Sequence, residues 1–471
     1  MNVLLINPSL IKADVKHYSK SIEKNRGVYP PLGLGYVAAS LMNAGHYVKI
    51  IDADLERDPA GTITREMQQR DYDIVGFYVM TWTFSEANAI LRQVKKINPD
   101  IKSVFGGPNA SSLPVVSLEA GDFDYVVVGE GEDTVIELIR AIEGEASFEA
   151  IDGIVYRNKD NKIIQNRHRD LKDDINEISF PAWELFKVNG YSDIFTRCSK
   201  FVTMIASRGC PFNCIFCDRL NRMGNRWRIR SPENVLDEIR LLNSRYGIKE
   251  FMFYDDNFIF DKKWVYEFCD KLENIRSRII WECRTRVDTV DKELLKRMRD
   301  SGCYRIRYGM ESGNDKILKV LKKGITVEQI RECVKITKEA GIEIFAYFMM
   351  GSPYETPQTL EDTLALALEV NADFTVFSKT ILIVGSELFD WAVNNGYIDR
   401  DYWVDFLKGR VANSAPALST PELCEESVDK YISYAYKKVY FRPEYLISKI
   451  KSIKNPRQAL RQAKMAVSMI G

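Results

Sequence analysis

Three cysteines fall within eight residues of this chain, at Cys210, Cys214 and Cys217. The CxxxCxxC spacing brings three thiolates close enough to ligate three irons of one cubane iron–sulfur cluster, and it leaves the fourth iron without a protein ligand. Structural metal sites normally close their ligand shell with protein side chains, whereas an open position is where chemistry takes place. The spacing therefore predicts a catalytic [4Fe–4S] cluster whose metal ligands are these three cysteines.

A zinc knuckle or three unrelated buried cysteines could also produce such an array. Zinc requires a fourth ligand, and no His or Cys follows within forty residues of Cys217. The stretch SRGCPFNCIFC, with Phe216 directly before the third cysteine, resembles the signature of the radical S-adenosylmethionine (radical SAM) superfamily. The resemblance implies that S-adenosylmethionine (SAM) binds the open iron and is cleaved reductively to a 5′-deoxyadenosyl radical. It also implies that Phe216 contacts the cofactors.

Length and charge limit the class of protein only broadly. A chain of 471 residues exceeds one ordinary core, so two to three domains are expected, and 66 Lys and Arg balance 66 Asp and Glu, which favours no acidic or basic partner. The six cysteines outside the array are scattered, and we interpret them as buried thiols in a reducing compartment. The first apolar run is too short for a signal peptide and no run reaches about 18 residues, so a cytoplasmic protein is expected.

Strands and helices alternate through residues 1–145, which predicts an α/β fold with a doubly wound, Rossmann-like sheet. Strands are predicted at 2–7, 47–52, 73–80, 102–107 and 125–131. Helices are predicted at 34–43, 86–97 and 133–142. In such a sheet the ligand binds at the carboxyl ends of the strands.

The residues at those strand ends are rich in glycine and proline, and glycine lets the backbone approach a bulky ligand. Together they resemble the amino-terminal domain of cobalamin-binding radical SAM proteins, and the resemblance implies that they contact cobalamin. The candidate contacts are Asn7, Pro8, Leu32, Thr81, Gly106, Gly107, Pro108, Asn109, Gly129 and Glu130. The alternative is a domain that keeps the fold and has lost the ligand.

One part of the family pattern is missing. Many cobalamin domains carry DxHxxG after the first strand, where the histidine ligates cobalt, but here Asp14 and His17 are spaced DxxH without the glycine. His46 and His168 lie before a strand and in a polar linker, where neither is a credible ligand. Cobalamin is therefore expected to bind without a histidine ligand.

Residues 146–200 are predicted to connect two domains and to include a β-hairpin at 153–166 around a polar Asn-Lys-Asp-Asn turn. A second alternation at 201–395 fits the partial (β/α)6 barrel that the radical SAM resemblance implies. Its strands are predicted at 201–207, 250–256, 279–285, 304–311, 342–351 and 373–382. Barrel active sites gather at the carboxyl ends of the strands, and the cysteine array follows the first strand.

The strand ends of this barrel supply candidate SAM contacts, which are assigned through the resemblance. Carboxylates suit the ammonium group of SAM, and a guanidinium fork matches its carboxylate bidentately. The assignments are Asp255 and Asp256 for the amino group, Arg284 or Arg286 for the methionine carboxylate, Glu311 and Ser312 for the ribose, Lys323 as the family's basic residue, and Gly351 behind the adenine. Suitable residues recur at successive strand ends, and this recurrence supports the assignments as a group.

The last segment, 396–471, is predicted to be helical and basic. Residues 431–471 carry nine basic side chains and one acidic side chain, a net charge of +8, interleaved with aromatic and aliphatic ones. Such a segment can lie on an anionic membrane as a peripheral contact, or it can cover the barrel as a helical hairpin. No nucleic-acid partner is expected, because no RNA- or DNA-binding module is recognised.

The leading functional prediction is a cobalamin-dependent radical SAM methyltransferase that methylates an unactivated carbon of a small molecule. The apolar loop at 381–386 and the basic tail favour an apolar, lipid-like or isoprenoid substrate. An external electron donor such as flavodoxin or ferredoxin is expected. The alternatives are radical cyclisation, ring rearrangement or carbon–carbon coupling without methyl transfer, and a non-catalytic cobalamin or redox sensor.

Overall fold

The structure of the chain is a computed structural model that describes residues 1–10, 27–218, 224–275, 277–411 and 416–443, with residues 445 and 447. Asp14 and His17 lie outside the described residues. The described strands form two larger sheets and one short antiparallel ribbon.

The first sheet has seven strands. They are β1 (Asn2–Asn7), β2 (Tyr47–Asp52), β3 (Ile74–Tyr78), β4 (Lys102–Gly106), β5 (Tyr125–Val127), β6 (Ile154–Arg157) and β7 (Ile163–Gln165). Their order is β2-β1-β3-β4-β5-β6-β7, and β1 to β5 are parallel. The order reverses between β1 and β3, which is the topological switch point where such sheets bind ligands.

Helices cover both faces of this sheet, as predicted for a doubly wound fold. They are α1 (Leu32–Asn43), α2 (Pro59–Gln69), α3 (Phe84–Ile97), α4 (Pro108–Ser112), α5 (Pro114–Ala120) and α6 (Thr134–Ile142). On β1, Leu4 and Ile6 belong to one buried cluster and Val3 and Leu5 to another, so successive side chains point into two cores. Helices α2, α4 and α5 were not predicted, although the side chain of Asp58 caps the first turn of α2.

The predicted hairpin is confirmed, with β6 and β7 paired antiparallel. β6 also pairs antiparallel with β5, so the hairpin extends the first sheet beyond the predicted domain boundary at residue 145. The segment that follows packs between the two domains. A Cβ at Gly35 of α1 would lie 2.7 Å from the Phe186 ring, and the indole of Trp183 donates a 2.8 Å hydrogen bond to Glu238 of the second domain.

The second domain begins with β8. Its strands are β8 (Phe201–Met204), β9 (Ser207–Arg208), β10 (Arg228–Ile229), β11 (Glu250–Phe253), β12 (Ile280–Thr285), β13 (Cys303–Glu311), β14 (Glu343–Met350) and β15 (Phe374–Lys379). Six of them form a parallel sheet in the order β15-β14-β13-β12-β11-β8, and β9 pairs antiparallel with β10. This confirms the predicted partial barrel. Predicted strands ran up to three residues too far because residues such as Asp255 stay buried after the strand pairing has ended.

Helices alternate with these strands and continue after the barrel. They are α7 (Pro232–Tyr246), α8 (Lys262–Leu272), α9 (Lys292–Asp300), α10 (Asp315–Val320), α11 (Val327–Glu339), α12 (Pro357–Val370), α13 (Glu387–Asn394), α14 (Tyr402–Leu407) and α15 (Glu425–Tyr440). The side chain of Ser231 caps α7, in front of Pro232 at the first helical position, where proline is favoured. Helix α14 returns to the first domain, where the Trp403 and Trp82 ring centroids are 5.2 Å apart.

Helix α15 and the residues after it cover the free edge of β15 with a tyrosine ladder, which consists of Tyr436 and Tyr440 of the helix and Tyr445 beyond it. The hydroxyl of Tyr436 donates to the carbonyl of Phe377 and accepts from its N–H, both at 3.0 Å. Tyr440 makes the same pair of bonds with Thr375, at 2.6 and 2.8 Å. The hydroxyl of Tyr445 donates a 3.0 Å hydrogen bond to the carbonyl of Asp373, two residues before Thr375. The ladder therefore satisfies an edge that would otherwise be open to another strand.

The position of α15 bears on the two alternatives for the basic segment. Tyr436, Val439 and Tyr440 are buried in the barrel core, while Lys437 and Lys438 are exposed. The described part of the segment therefore covers the barrel, and the peripheral membrane alternative finds no support there. Among the described residues, no helix combines the length and the apolar character needed to cross a bilayer. Residues 448–471, with most of the basic side chains, lie outside the described residues.

Candidate active site

A cavity of about 740 Å³ lies where the carboxyl edge of the first sheet faces the carboxyl ends of the barrel strands. Its volume falls in the range of roughly 300–1,000 Å³ that is typical of small-molecule sites. From the first domain it is lined by the predicted residues Asn7, Pro8, Leu32, Gly106, Gly107, Pro108, Gly129 and Glu130. From the barrel it is lined by the predicted residues Asp255, Asp256 and Arg284.

Two predicted cobalamin contacts do not line this cavity. Asn109 is fully buried, and its side-chain amide donates to Ser117 at 2.8 Å. Thr81 begins a short 3₁₀ turn, and its neighbours Met80 and Thr83 line the cavity instead. Sequence position alone could not show which residue of each strand end points inward.

The first-domain wall of the cavity is built partly from backbone. Gly107 has φ +102°, which is a glycine conformation, and a Cβ there would lie 3.0 Å from the carbonyl oxygen of Val79 and 3.1 Å from the Tyr78 ring. A Cβ at Gly33 would come within 3.2 Å of the same ring. At these two positions the wall therefore has no room for a side chain, and its backbone is open to a bulky ligand such as cobalamin.

No described histidine lines the cavity. His46 lies at the start of β2, where its Nδ1 is 3.2 Å from the amino terminus, at the opposite edge of the sheet. His168 follows the β6–β7 hairpin. The cavity wall thus fits cobalamin bound without a histidine ligand, as far as the described residues extend.

The cysteine loop, residues 209–218, follows β9 at the mouth of the barrel. Its three cysteines are half-buried, whereas Cys269, Cys283, Cys303 and Cys333 are buried in the barrel. The loop is anchored at Ile215, whose N–H donates to the carbonyl of Leu321 and whose carbonyl accepts from the N–H of Leu388. Partly accessible thiols on an anchored loop are the donor set that an iron–sulfur cluster requires.

The three thiolates do not need to converge on one point to hold such a cluster. Among the described residues, no three His, Cys, Asp or Glu side chains are grouped closely enough to bind a single metal ion. In a cubane cluster each thiolate binds a different iron, so the sulfur atoms lie further apart than the ligands of one ion. The arrangement is therefore compatible with the predicted cluster.

Asp255 fixes the start of the cysteine loop. Its carboxylate accepts hydrogen bonds from the N–H groups of Ala206 and Ser207 and from the hydroxyl of Ser207. Burial raises the pKa of Asp255 to about 6, against the opposing effect of these hydrogen bonds. The carboxylate predicted to bind the SAM ammonium is thus mainly engaged with the protein, while the neighbouring Asp256 is exposed to the cavity.

The other predicted SAM contacts gather near the cysteine loop. Glu311 and Lys323 form a buried ion pair of 2.7 Å, and the ammonium of Lys323 is 5.9 Å from the centre of the Phe216 ring. Glu311 has φ +61°, an uncommon backbone conformation for a residue other than glycine, and such strain is often found at functional sites. Ser312 is buried beside it, and Gly351 has φ +85° in the turn after β14.

The two candidate arginines at the end of β12 differ in their surroundings. Arg286 pairs with Asp288 through two bonds of 2.9 Å, and its guanidinium lies 3.8 Å above the Phe212 ring of the cysteine loop. Arg284 instead lies 3.6 Å above the Tyr254 ring and lines the cavity. Of the two, Arg286 is the one in contact with the loop that carries the predicted cluster ligands.

Two arginines that the sequence analysis missed connect the domains. Arg208 and Arg228, on the ribbon that flanks the cysteine loop, form buried ion pairs with Glu130 and Glu132 of the first domain. Glu130, assigned above to cobalamin, is therefore also a partner of the barrel. Their position on either side of the cysteine array was the only signal in the sequence.

Comparison with known proteins agrees with this architecture. A family model for the radical SAM superfamily matches residues 204–367, and one for the B12 binding domain matches residues 21–139. An uncharacterized methyltransferase, PH0819, from Pyrococcus horikoshii is 32% identical over 422 residues, which cover 89% of this chain and 90% of that protein. The anaerobic magnesium-protoporphyrin IX monomethyl ester cyclase of Rubrivivax gelatinosus is 30% identical over a region that covers 83% of this chain and 69% of the cyclase.

A solved structure shares the fold. The cobalamin-dependent SAM radical enzyme OxsB, with aqua-cobalamin bound, superimposes with a TM-score of 0.77 at 18% identity over 99% of this chain and 72% of OxsB. The fold and the site thus define a radical SAM enzyme with an amino-terminal cobalamin-binding domain. The chain belongs to the cobalamin-dependent radical SAM methyltransferase family, and its cofactors are a [4Fe–4S] cluster, SAM and cobalamin. Because that family is enzymatic, the sensor alternative is set aside.

Proposed function

We propose that this enzyme methylates an unactivated carbon of a small molecule bound in the cavity between the two domains. The observation that carries the proposal is that the cavity is shared, with one wall from the glycine- and proline-rich ends of the first sheet and one from the barrel. A substrate in it would touch both the predicted cobalamin side and the predicted SAM side. When bound, the cofactors supply the chemistry that side chains lack, which is radical formation at carbon and delivery of a methyl group.

The chain's own residues bind and orient the substrate and the cofactors, and they exclude water from the cavity. Asp255 holds the start of the cysteine loop, and the ion pairs of Arg208 and Arg228 with Glu130 hold the two walls of the cavity together. We propose that Lys323 and Glu311 position SAM beside the cluster ligands. A closed, fixed cavity protects reactive intermediates from water and limits side reactions.

We propose a substrate with a large apolar part. The support comes from apolar side chains in the cavity wall, which include Ile194, Phe195, Phe345 and Val376. The loop at 381–386, which first suggested such a substrate, does not line the cavity. Its Ile381, Leu382 and Val384 are buried, and the N–H of Leu382 donates to the carbonyl of Pro416, so the apolar character of this loop reflects core packing.

Anaerobic reconstitution with iron, sulfide and hydroxocobalamin tests the proposal. After desalting, iron and cobalt are quantified, and SAM with a low-potential reductant, such as reduced flavodoxin as the proposed electron donor, is added to measure deoxyadenosine and S-adenosylhomocysteine. We expect about four irons per chain, bound cobalt and both nucleosides. Cys214→Ala should lose iron and all SAM cleavage, whereas the exposed Cys424→Ala should behave as the wild type. Full SAM cleavage by Cys214→Ala would contradict the proposal.

Radical cyclisation without methyl transfer is the second candidate. It is favoured by the cyclase from Rubrivivax gelatinosus among the relatives. The two candidates differ in S-adenosylhomocysteine, which forms only when SAM donates a methyl group. If deoxyadenosine forms without S-adenosylhomocysteine, the reaction is cyclisation or coupling and not methyl transfer.

A further inference from the structure

Two arginines stand side by side on the inner face of the barrel. Arg284 on β12 and Arg307 on β13 are register partners on adjacent parallel strands, and both line the cavity between the domains. Like charges at neighbouring positions repel each other, and the repulsion is strong where water is partly excluded. Each guanidinium therefore needs an anionic partner.

Arg307 has its partner within the protein. Its Nε donates to Glu282 at 2.7 Å, and its Nη1 donates to the hydroxyl of Tyr347 at 3.1 Å. Glu282 also accepts a 2.9 Å hydrogen bond from Arg305. Arg305 is also paired with Glu343 at 2.8 Å, and Asp193 lies 3.8 Å from Nη2 of Arg307. The carboxylates next to this pair of arginines are therefore already engaged by Arg305 and Arg307.

Arg284 has no such partner. No described residue gives its guanidinium a hydrogen bond or an ion pair, and its Nε is buried without an acceptor. The face of the guanidinium stacks on Tyr254 at 3.6 Å, which orients the group and leaves its hydrogen-bonding edge available.

The described residues of the cavity wall include six carboxylates, and none of them forms an ion pair with Arg284. Asp54 and Asp193 accept hydrogen bonds from Ser9 and Tyr29, and Asp256 is exposed to the cavity. Asp255 accepts from the backbone of Ala206 and Ser207. Glu130 and Glu132 form ion pairs with Arg208. An oriented cation without a counterion in a cavity wall is costly for the fold alone, so a bound anion is its natural complement.

We infer that the substrate carries an anionic group, a carboxylate or a phosphate-type group, that binds Arg284 inside the barrel. The inference deepens the proposed function by narrowing the substrate class to amphipathic anions. A guanidinium edge offers parallel N–H donors that match either group bidentately. The apolar part of the substrate lies against the wall that contains Phe345 and Val376.

The methionine carboxylate of SAM is the competing anion. Arg286, which directly follows β12, contacts Phe212 of the cysteine loop and the carbonyl of Lys323, whereas Arg284 lies within the strand, deeper in the barrel. The group that reaches Arg284 is therefore better supplied by a substrate that enters the barrel than by SAM beside the cluster. This revises the assignment of Arg284 made from the sequence.

Matched naphthalene probes test the inference on the reconstituted holoenzyme. Binding of 2-naphthoate, 2-naphthylphosphonate and the neutral 2-naphthylmethanol is measured by calorimetry, with and without SAM. We expect one of the two anions to bind wild type about tenfold or more tightly than the alcohol, and the preferred anion identifies the group as carboxylate or phosphate-type. Arg284→Gln should abolish the preference, and Arg284→Lys should retain part of it. The control Arg297→Gln, which removes a surface arginine paired with Asp270 and Glu273, should retain all of it.

Three results would overturn the inference. Wild type could bind the alcohol as tightly as both anions, or Arg284→Gln could keep the anion preference. Alternatively, Arg284→Gln could weaken SAM binding about tenfold, the same factor that is expected for the anionic probe. That result would mean that Arg284 binds the methionine carboxylate of SAM. None of these depends on methyl transfer, so failure here is distinct from failure to form S-adenosylhomocysteine.

Thermal unfolding of the full-length protein without cofactors separates binding from a structural role. Arg284→Gln removes a charge that has no partner and lies next to Arg307, so its melting temperature should equal or exceed that of wild type. A melting temperature several degrees lower would make Arg284 a structural residue and would count against the inference.

Discussion

Glu130 of the first domain and Arg228 of the barrel are joined by two hydrogen bonds of 2.7 and 3.0 Å, with only 12% and 2% of their side chains exposed. The same carboxylate lies 3.3 Å from Arg208, which leads into the cysteine loop. Burial by itself would raise the pKa of Glu130, but the hydrogen bond from Arg228 and the charge of Arg208 outweigh it and hold the pKa below its usual value. The contact thus couples the cobalamin-binding domain to the loop that holds the predicted cluster ligands.

Replacing Glu130 by glutamine should destabilise the protein strongly. Arg228 would lose this carboxylate and Arg208 would keep Glu132. Removal of one member of a buried ion pair costs about 3–5 kcal/mol in unfolding free energy. Chemical denaturation of the cofactor-free protein measures the change. The control is Glu233→Gln, because Glu233 pairs with Arg240 at the surface and should contribute no more than about 1 kcal/mol. Equal losses of unfolding free energy in the two variants would show that the contact between the domains contributes little to stability.

The tyrosine ladder should contribute to stability through its hydroxyl groups. Tyr440→Phe leaves the N–H and the carbonyl of Thr375 without partners at a buried position, and we expect a loss of about 1–3 kcal/mol in unfolding free energy. Tyr434→Phe is the matched control on the same helix, because 43% of Tyr434 is exposed. Comparable denaturation curves for Tyr440→Phe and wild type would mean that water replaces the hydroxyl at no cost.

Glu355 should make stability depend on pH near neutrality. Its carboxylate accepts from the N–H groups of Gly351 and Ser352 at 2.6 and 2.8 Å, yet burial outweighs these bonds and raises its pKa to about 7. Since the pKa is higher in the folded than in the unfolded state, the folded protein binds the proton more tightly. The unfolding free energy should therefore fall as pH rises from about 4.5 to about 7.

Glu355→Gln removes this titration. Relative to wild type, the variant should gain stability as pH rises through that window, by an amount on the order of 3 kcal/mol. Denaturation at several pH values between about 5 and 8 measures the difference, with Glu422→Gln as a control for the loss of one exposed carboxyl group. A pH-independent difference between Glu355→Gln and wild type would refute the prediction.

Gly107 should be needed for cobalamin binding. Gly107→Ala would introduce a methyl group 3.0 Å from the Val79 carbonyl in the cavity wall, at a backbone φ that alanine adopts only with strain. We expect reduced cobalt per chain after reconstitution and desalting. Gly45→Ala is the control, since Gly45 also has positive φ but has no atom within 4 Å of an added Cβ and lies away from the cavity. Equal cobalt content in the two variants would argue against this wall as the cobalamin site.

Much of the fold and the position of the site followed from local patterns. The spacing of Cys210, Cys214 and Cys217 predicted the metal chemistry, and the alternation of strands and helices predicted both sheets with strand bounds within four residues. These features are local because ligand spacing and burial periodicity are properties of short stretches of chain. Since parallel strands bring their carboxyl ends to one edge, the strand-end residues could also be expected to meet there.

Only the tertiary structure decided what individual side chains do at those edges. Asp255 had the right type and place for a cofactor contact, but the backbone of Ala206 and Ser207 takes up its carboxylate. Glu130 binds arginines 78 and 98 residues away along the chain, and no local pattern distinguishes it from a ligand contact. Arg284 and Arg286 look equivalent in sequence, yet of the two only Arg284 has no hydrogen-bond or ion-pair partner among the described residues. The charges around each arginine come from strands and loops that are distant in the chain and become neighbours only when the barrel forms.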